Sequence, residues 1–84
     1  MSSISKRKKM ILKAIVEEYV KTNEPVGSKV LVNRPEFCLN VSSATIRNDM
    51  MELEEDGLIS KNHLSSGRVP SEEGYRVYVQ EILK

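Results

Sequence analysis

Between Ser42 and Asn48 the chain reads Ser-Ser-Ala-Thr-Ile-Arg-Asn. These side chains carry the groups that read base-pair edges. A guanidinium suits guanine, an amide suits adenine, and an alanine or threonine methyl suits the methyl of thymine. Ser42 has the chemistry of a helix N-cap, and Gly57 stands where a left-handed residue closes a helix. At about 100° per residue, turning Ile46, Met50 and Leu53 inward points Ala44 and Asn48 fully outward. Thr45 and Arg47 then lie on the flanks. The start of a helix also offers free N–H groups and the positive end of the backbone dipole to an anion. Ser42, Ser43, Ala44, Thr45, Arg47 and Asn48 are therefore the candidate base-reading surface. Asp49, Glu52, Glu54, Glu55 and Asp56 fill the later turns, where acid opposes the helix dipole. Keeping the rear of the helix off phosphate accounts for them.

A second candidate is the run Ser65-Ser66-Gly67-Arg68, which sets two hydroxyls and a cation around a glycine whose backbone can approach a sugar-phosphate wall. Arg68 is expected to reach a phosphate or the minor groove. A third is the basic run Lys6-Arg7-Lys8-Lys9, a candidate contact to the DNA backbone. The separation of this run from the acidic cluster predicts one face that approaches phosphate and one that avoids it. Other residues carry no such chemistry. His63 has no partner at metal-ligand spacing, and Cys38 reads as a small apolar residue. Gly27-Ser28 lacks the spacing of a phosphate loop. No cofactor, metal or catalytic group is expected, and the chain does not read as an enzyme.

The elements that must position these groups follow from periodicity and punctuation. Ser5 caps a first helix running to about Thr22, with Ile11, Leu12, Ile15, Val16, Tyr19 and Val20 as its apolar stripe. Asn23-Glu24-Pro25 ends it, because a residue before proline is pushed out of the helical region. A short helix follows from a Ser28 cap to Asn33, closed by Arg34-Pro35. Leu39-Asn40-Val41 alternates like a minimal strand. The base-reading helix then spans Ser42 to Gly57. Leu58 to Lys61 and Arg68-Val69 form a β-hairpin across Asn62 to Gly67, and Pro70 stops its return strand. A last helix starts at a Ser71 cap and buries Tyr75, Tyr78, Val79 and Ile82.

The fold class is mostly α with a small β-hairpin. Its order of helix, helix, strand, helix, hairpin and helix is the layout of a winged helix-turn-helix, in which the second helix of the motif enters the major groove. Eighty-four residues hold one domain, residues 1–84, with 1–4 expected to be flexible. The absence of a C-cap signal at Lys84 reads as the front part of a longer chain. One cysteine excludes an internal disulfide, and no apolar run reaches membrane-span length. The expected compartment is the cytoplasm. A net charge of +1 argues for no partner by itself. Winged helices also serve as protein-interaction modules, so that reading stays open beside DNA binding.

In order along the chain stand Glu24-Pro25-Val26-Gly27-Ser28, Arg34-Pro35, Ser42 to Asn48, Leu53-Glu54-Glu55-Asp56-Gly57-Leu58, Ser66-Gly67-Arg68-Val69-Pro70-Ser71, Gly74-Tyr75-Arg76 and Tyr78-Val79. This series resembles the N-terminal domain of the heat-inducible transcription repressor family, HrcA, from about Lys9 to Leu83. The base-reading helix alone also resembles that of DeoR-type operon repressors. The hairpin and the Glu24 to Ser28 turn separate the two. Leu64 and Ser66 depart from the Thr and Ala usual in the family. The resemblance implies repression of heat-shock chaperone genes by binding an inverted-repeat operator in double-stranded DNA. It also implies a homodimer and a response to the chaperonin in the full-length protein, and no membrane partner.

Overall fold

Ser5 accepts a hydrogen bond from the Lys8 N–H at 3.2 Å and opens helix α1, Lys6–Thr22. The computed structural model describes residues 5–33, 41–61 and 67–83. Ile11, Leu12, Ala14, Ile15 and Val16 of α1 are buried, and Tyr19 packs half-buried beside them. Val20, expected in this stripe, is 67% exposed. The helix stops at Asn23, whose left-handed backbone (φ 60°) lets its N–H bond the Tyr19 carbonyl at 2.6 Å. A left-handed asparagine cap, two residues before Pro25, therefore makes the stop that the sequence reading gave to the proline.

Helix α2 spans Ser28–Val32, with Gly27 as its N-cap in place of Ser28. The Val30 N–H bonds the Gly27 carbonyl at 3.1 Å, so helical bonding begins one residue earlier than expected. Leu39 and Asn40 of the expected strand, like Arg34-Pro35 and Cys38, lie outside the described residues, and Val41 sits in a bend. The small sheet instead takes its third member from the turn between α1 and α2. Val26 and Arg68 form an antiparallel bridge, each N–H donating to the other's carbonyl at 2.8 Å.

Helix α3 spans Ser43–Glu55, and Ser42 caps it by accepting the Thr45 N–H at 3.2 Å. It closes as expected at left-handed Gly57 (φ 80°). The Leu58 N–H reaches the Leu53 carbonyl and the Gly57 N–H the Glu54 carbonyl, both at 3.0 Å, the paired bonds of a Schellman motif. Strands β1, Ile59–Lys61, and β2, Arg68–Pro70, pair antiparallel with Ile59 opposite Pro70 and Lys61 opposite Arg68. Pro70 thus takes the last rung of the ladder and does not stop the strand before it. His63 and Leu64 lie outside the described residues.

Ser71 joins the hairpin to helix α4, Glu72–Val77. Its hydroxyl donates to the Gly57 carbonyl at 2.6 Å and accepts the Gly74 N–H at 3.0 Å. From Tyr78 to Leu83 the helix widens to π geometry. That change of spacing alters the apolar stripe: Tyr75, Val77, Tyr78 and Ile82 pack on the core, while Val79, expected inside, is 56% exposed. The Tyr78 hydroxyl bonds a Glu17 carboxylate oxygen at 2.8 Å and pins this segment to α1. The core gathers Ile11, Leu12, Ile15, Val26, Leu31, Ile46, Leu53 and Ile59 from α1, the bridge, α2, α3 and β1. This is a mostly helical winged helix-turn-helix.

Two outcomes follow from these contacts. A Cβ on Gly74 would stand 2.0 Å from the Leu58 carbonyl oxygen, a backbone atom that cannot swing aside. Gly74→Ala should cost about 1–3 kcal/mol, lowering the melting temperature by roughly 4–8 °C for each kcal/mol. An unchanged melting temperature would show that α4 does not seat on Leu58. The second concerns pH. Burial first, then the hydrogen bond from Tyr78 to Glu17, raises the Tyr78 phenol above its ordinary range. A pKa raised on folding contributes stability below the unfolded value of about 10, and that stability is lost as pH rises through the folded value. Alkaline absorbance titration should show one late-ionising tyrosine that Tyr78→Phe removes.

Candidate nucleic-acid interface

The buried side of α3 carries Ile46, Met50 and Leu53, as its spacing requires, and Ala44, Arg47 and Asn48 are exposed. Ser42 is exposed, while Ser43 and Thr45 are half-buried. The Thr45 hydroxyl lies 3.2 Å from that of Ser42, so the cap residue also orients the Thr45 side chain. The candidate base-reading residues thus come together at one end of α3. Met51 is also exposed, one turn on from Arg47.

One member of the acidic cluster is not on the surface. Asp49 is buried, and its carboxylate accepts both Arg7 Nε at 2.5 Å and Arg7 Nη2 at 3.2 Å. Lys8 pairs with Glu52, Lys9 with Glu81 at 3.4 Å, and Arg68 with Glu54 at 3.0 Å. The two charge runs expected to mark opposite faces therefore neutralise each other in part, because the start of α1 packs against the middle of α3. Hydrogen bonding to Asp49 raises the Arg7 guanidinium above its usual range, and bonding to Glu52 does the same for the Lys8 ammonium. Within the basic run Lys6 is exposed and, among the described residues, has no carboxylate at ion-pair distance.

The hairpin departs further from its sequence reading. Ser65 and Ser66 lie outside the described residues. Gly67 is buried, and a Cβ there would come 2.7 Å from Pro25 Cβ and 3.1 Å from the Val26 nitrogen. The close approach that this glycine permits is to the turn after α1. The Arg68 side chain is 13% exposed and held by Glu54. Gly67 and Arg68 therefore sit at the root of the hairpin, where they fix its attitude to α3.

Two cations that sequence reasoning passed over stand beside this root. Lys29, Lys61, Arg47 and Arg68 line a cleft of about 530 Å³ with Gly27 and Ser28. The signal for Lys61 was available, since hairpin register puts it opposite Arg68. Asp49 was legible as a lone carboxylate between inward-facing Ile46 and Met50, which calls for a cation.

This architecture defines a winged helix-turn-helix domain. The DeoR-like helix-turn-helix domain matches residues 7–69, and the chain belongs to that family. Within it, the resemblance read from the motif series is borne out. The heat-inducible transcription repressor HrcA of Lactobacillus delbrueckii subsp. bulgaricus is 54% identical over 81 residues, 96% of this chain and 23% of the relative. The protein of the same name in Corynebacterium glutamicum is 57% identical over 82 residues, 98% of this chain and 24% of the relative. That of Thermobifida fusca is 58% identical over 78 residues, 93% and 22%. The chain spans about a quarter of the length of these curated relatives. A crystal structure of a hypothetical protein at 2.2 Å resolution superposes with a TM-score of 0.85 at 41% identity, covering 96% of this chain and 24% of that one. Among the described residues no helix is long and apolar enough to cross a membrane.

The Arg7 to Asp49 pair generates a test of its own. Removing Arg7 leaves a buried carboxylate without its cation, whereas removing Lys6 disturbs no described contact. Arg7→Ala should lower the melting temperature clearly and Lys6→Ala should leave it unchanged. Equal melting temperatures for the two variants would mean that the pair does not anchor α3.

Proposed function

We propose that this chain is the sequence-specific DNA-binding domain of a transcription repressor. In this reading the start of α3 enters the major groove of an inverted-repeat operator of heat-shock chaperone genes and blocks their transcription. One observation carries the proposal: Ala44, Arg47 and Asn48 are exposed together on the leading turns of α3, whose other side is locked into the core. A rigid scaffold behind a mixed set of guanidinium, amide and methyl groups is what base readout requires. Ser42, Ser43 and Thr45 complete the surface, and Ser65 and Ser66 are assigned to contacts with the sugar-phosphate backbone. Lys6 remains a backbone contact from the N-terminal run.

The likeness to heat-inducible repressors supports the chaperone-gene operator. An inverted repeat is read by a dimer whose two domains sit about one DNA turn apart, roughly 34–36 Å. Homodimerisation and the response to the chaperonin belong to the remainder of a full-length repressor, which acts in the cytoplasm. No catalytic step is proposed, and the domain works without a cofactor.

Affinities for a duplex taken from upstream of a chaperone operon and for its scrambled counterpart test the reading. Asn48→Ala should lose about 1–3 kcal/mol of specific binding, roughly 5–150-fold, with scrambled-duplex binding nearly unchanged. Ile46→Ala should instead unfold the domain through a core cavity costing about 2–5 kcal/mol. Parent-like operator binding by a folded Asn48→Ala variant would remove α3 as the base reader. A parent chain that prefers neither duplex would remove sequence-specific binding altogether.

A further inference from the structure

The cations among the described residues divide into two groups. Arg7, Lys8, Lys9, Lys13, Arg68 and Arg76 each hold a carboxylate within the chain. Among the described residues Lys6, Lys21, Lys29, Arg47 and Lys61 do not. Three of these five, Lys29, Arg47 and Lys61, line the same cleft between α2, α3 and the hairpin. Among the described residues no carboxylate lines it, and Glu54 is engaged by Arg68. Lys29 comes from the first turn of α2, Lys61 from the end of β1, and Arg47 from the exposed edge of α3. Surface ion pairs form readily and are worth little, so neutralising these lysines within the chain would have been cheap. An unneutralised trio around one concave surface creates a local positive potential in a protein whose net charge is only +1.

We propose that this cleft is the seat of one stretch of DNA sugar-phosphate backbone, with Lys29 and Lys61 as its two cationic walls. Gly27 and Ser28 add a wall with no bulky side chain at the cleft's α2 end. Arg47 joins the seat to the base-reading surface, since it is on α3 one residue before Asn48 and also lines the cleft. The backbone held there thereby fixes how far along the groove α3 sits. The seat rests on the DNA-binding reading above and adds residues that base readout does not use.

The test uses the chain as it stands, fluorescently labelled duplexes of operator-like and scrambled sequence, and a salt series. Lys29→Ala and Lys61→Ala should each weaken binding to both duplexes by similar factors. Each should make the slope of log affinity against log salt shallower by about one unit, and the double variant by about two. Lys21→Ala, which removes an unpaired lysine from α1, should bind like the parent, and all variants should keep the parent melting temperature. Unchanged slopes for Lys29→Ala and Lys61→Ala, with the parent still binding, would overturn the seat and leave base reading by α3 intact. An equal loss in Lys21→Ala would overturn it too, because the effect would then follow total charge. A parent chain that binds neither duplex would instead remove the DNA-binding reading on which the seat depends.

Discussion

The backbones of Val26 and Arg68 exchange two hydrogen bonds of 2.8 Å, and the position of the hairpin relative to the helices follows from them. A two-stranded hairpin alone is marginal in water. Here a third backbone, from the turn between α1 and α2, completes the sheet edge. Gly67 makes the approach possible, since any side chain there would strike Pro25. The Arg68 side chain then reaches across to Glu54 on α3, so one residue joins the α1 turn, the hairpin and the helix that carries the candidate reading surface. Lys61, opposite Arg68 in the ladder, is carried to the wall of the cleft by the same register.

The second half of the molecule is organised around Leu58. Its N–H closes α3 and its carbonyl accepts the Ser71 N–H at 3.0 Å. Gly74 presses α4 onto the same carbonyl, and Ser71 ties that helix start to Gly57. The end of α3, the start of β1 and the start of α4 therefore meet within a few residues. This explains how so short a chain, with one Phe and no Trp, orders the helices and the hairpin that follow α1. Backbone contacts at glycine replace bulk that the side chains do not supply.

Local signals were legible where the responsible residues are neighbours in sequence. Ser5, Ser42 and Ser71 were readable as caps, Gly57 as a helix terminator, and Ile46, Met50 and Leu53 as an inward stripe. Long-range pairing was not. Nothing near Val26 marks it as a strand, because its partner lies 42 positions further on and its single bridge has no alternation to betray it. Arg68 looked like a cation free to meet DNA, since the sequence does not place Glu54 beside it. The basic run looked like a phosphate-facing patch for the same reason: Asp49 and Glu52 are distant in sequence and adjacent in space. Val79 was misplaced because a switch to π geometry has no simple residue signature.

The self-paired N-terminal run has a consequence for how such a domain searches a chromosome. A free cluster of four cations would cling to any phosphate it met, and every stretch of DNA would then compete with the correct one. With Arg7, Lys8 and Lys9 held by carboxylates of the same chain, that indiscriminate attraction is reduced. Non-specific sites in a genome number on the order of 10⁶ or more, and occupancy depends on the ratio of specific to non-specific affinity times that number. A phosphate contact adds alike to binding at sites that are read and sites that are not, so internal pairing leaves that ratio to base contacts. The ion pairs that hold Arg7, Lys8 and Lys9 thereby shorten the stay of such a domain at any site where its bases are not read.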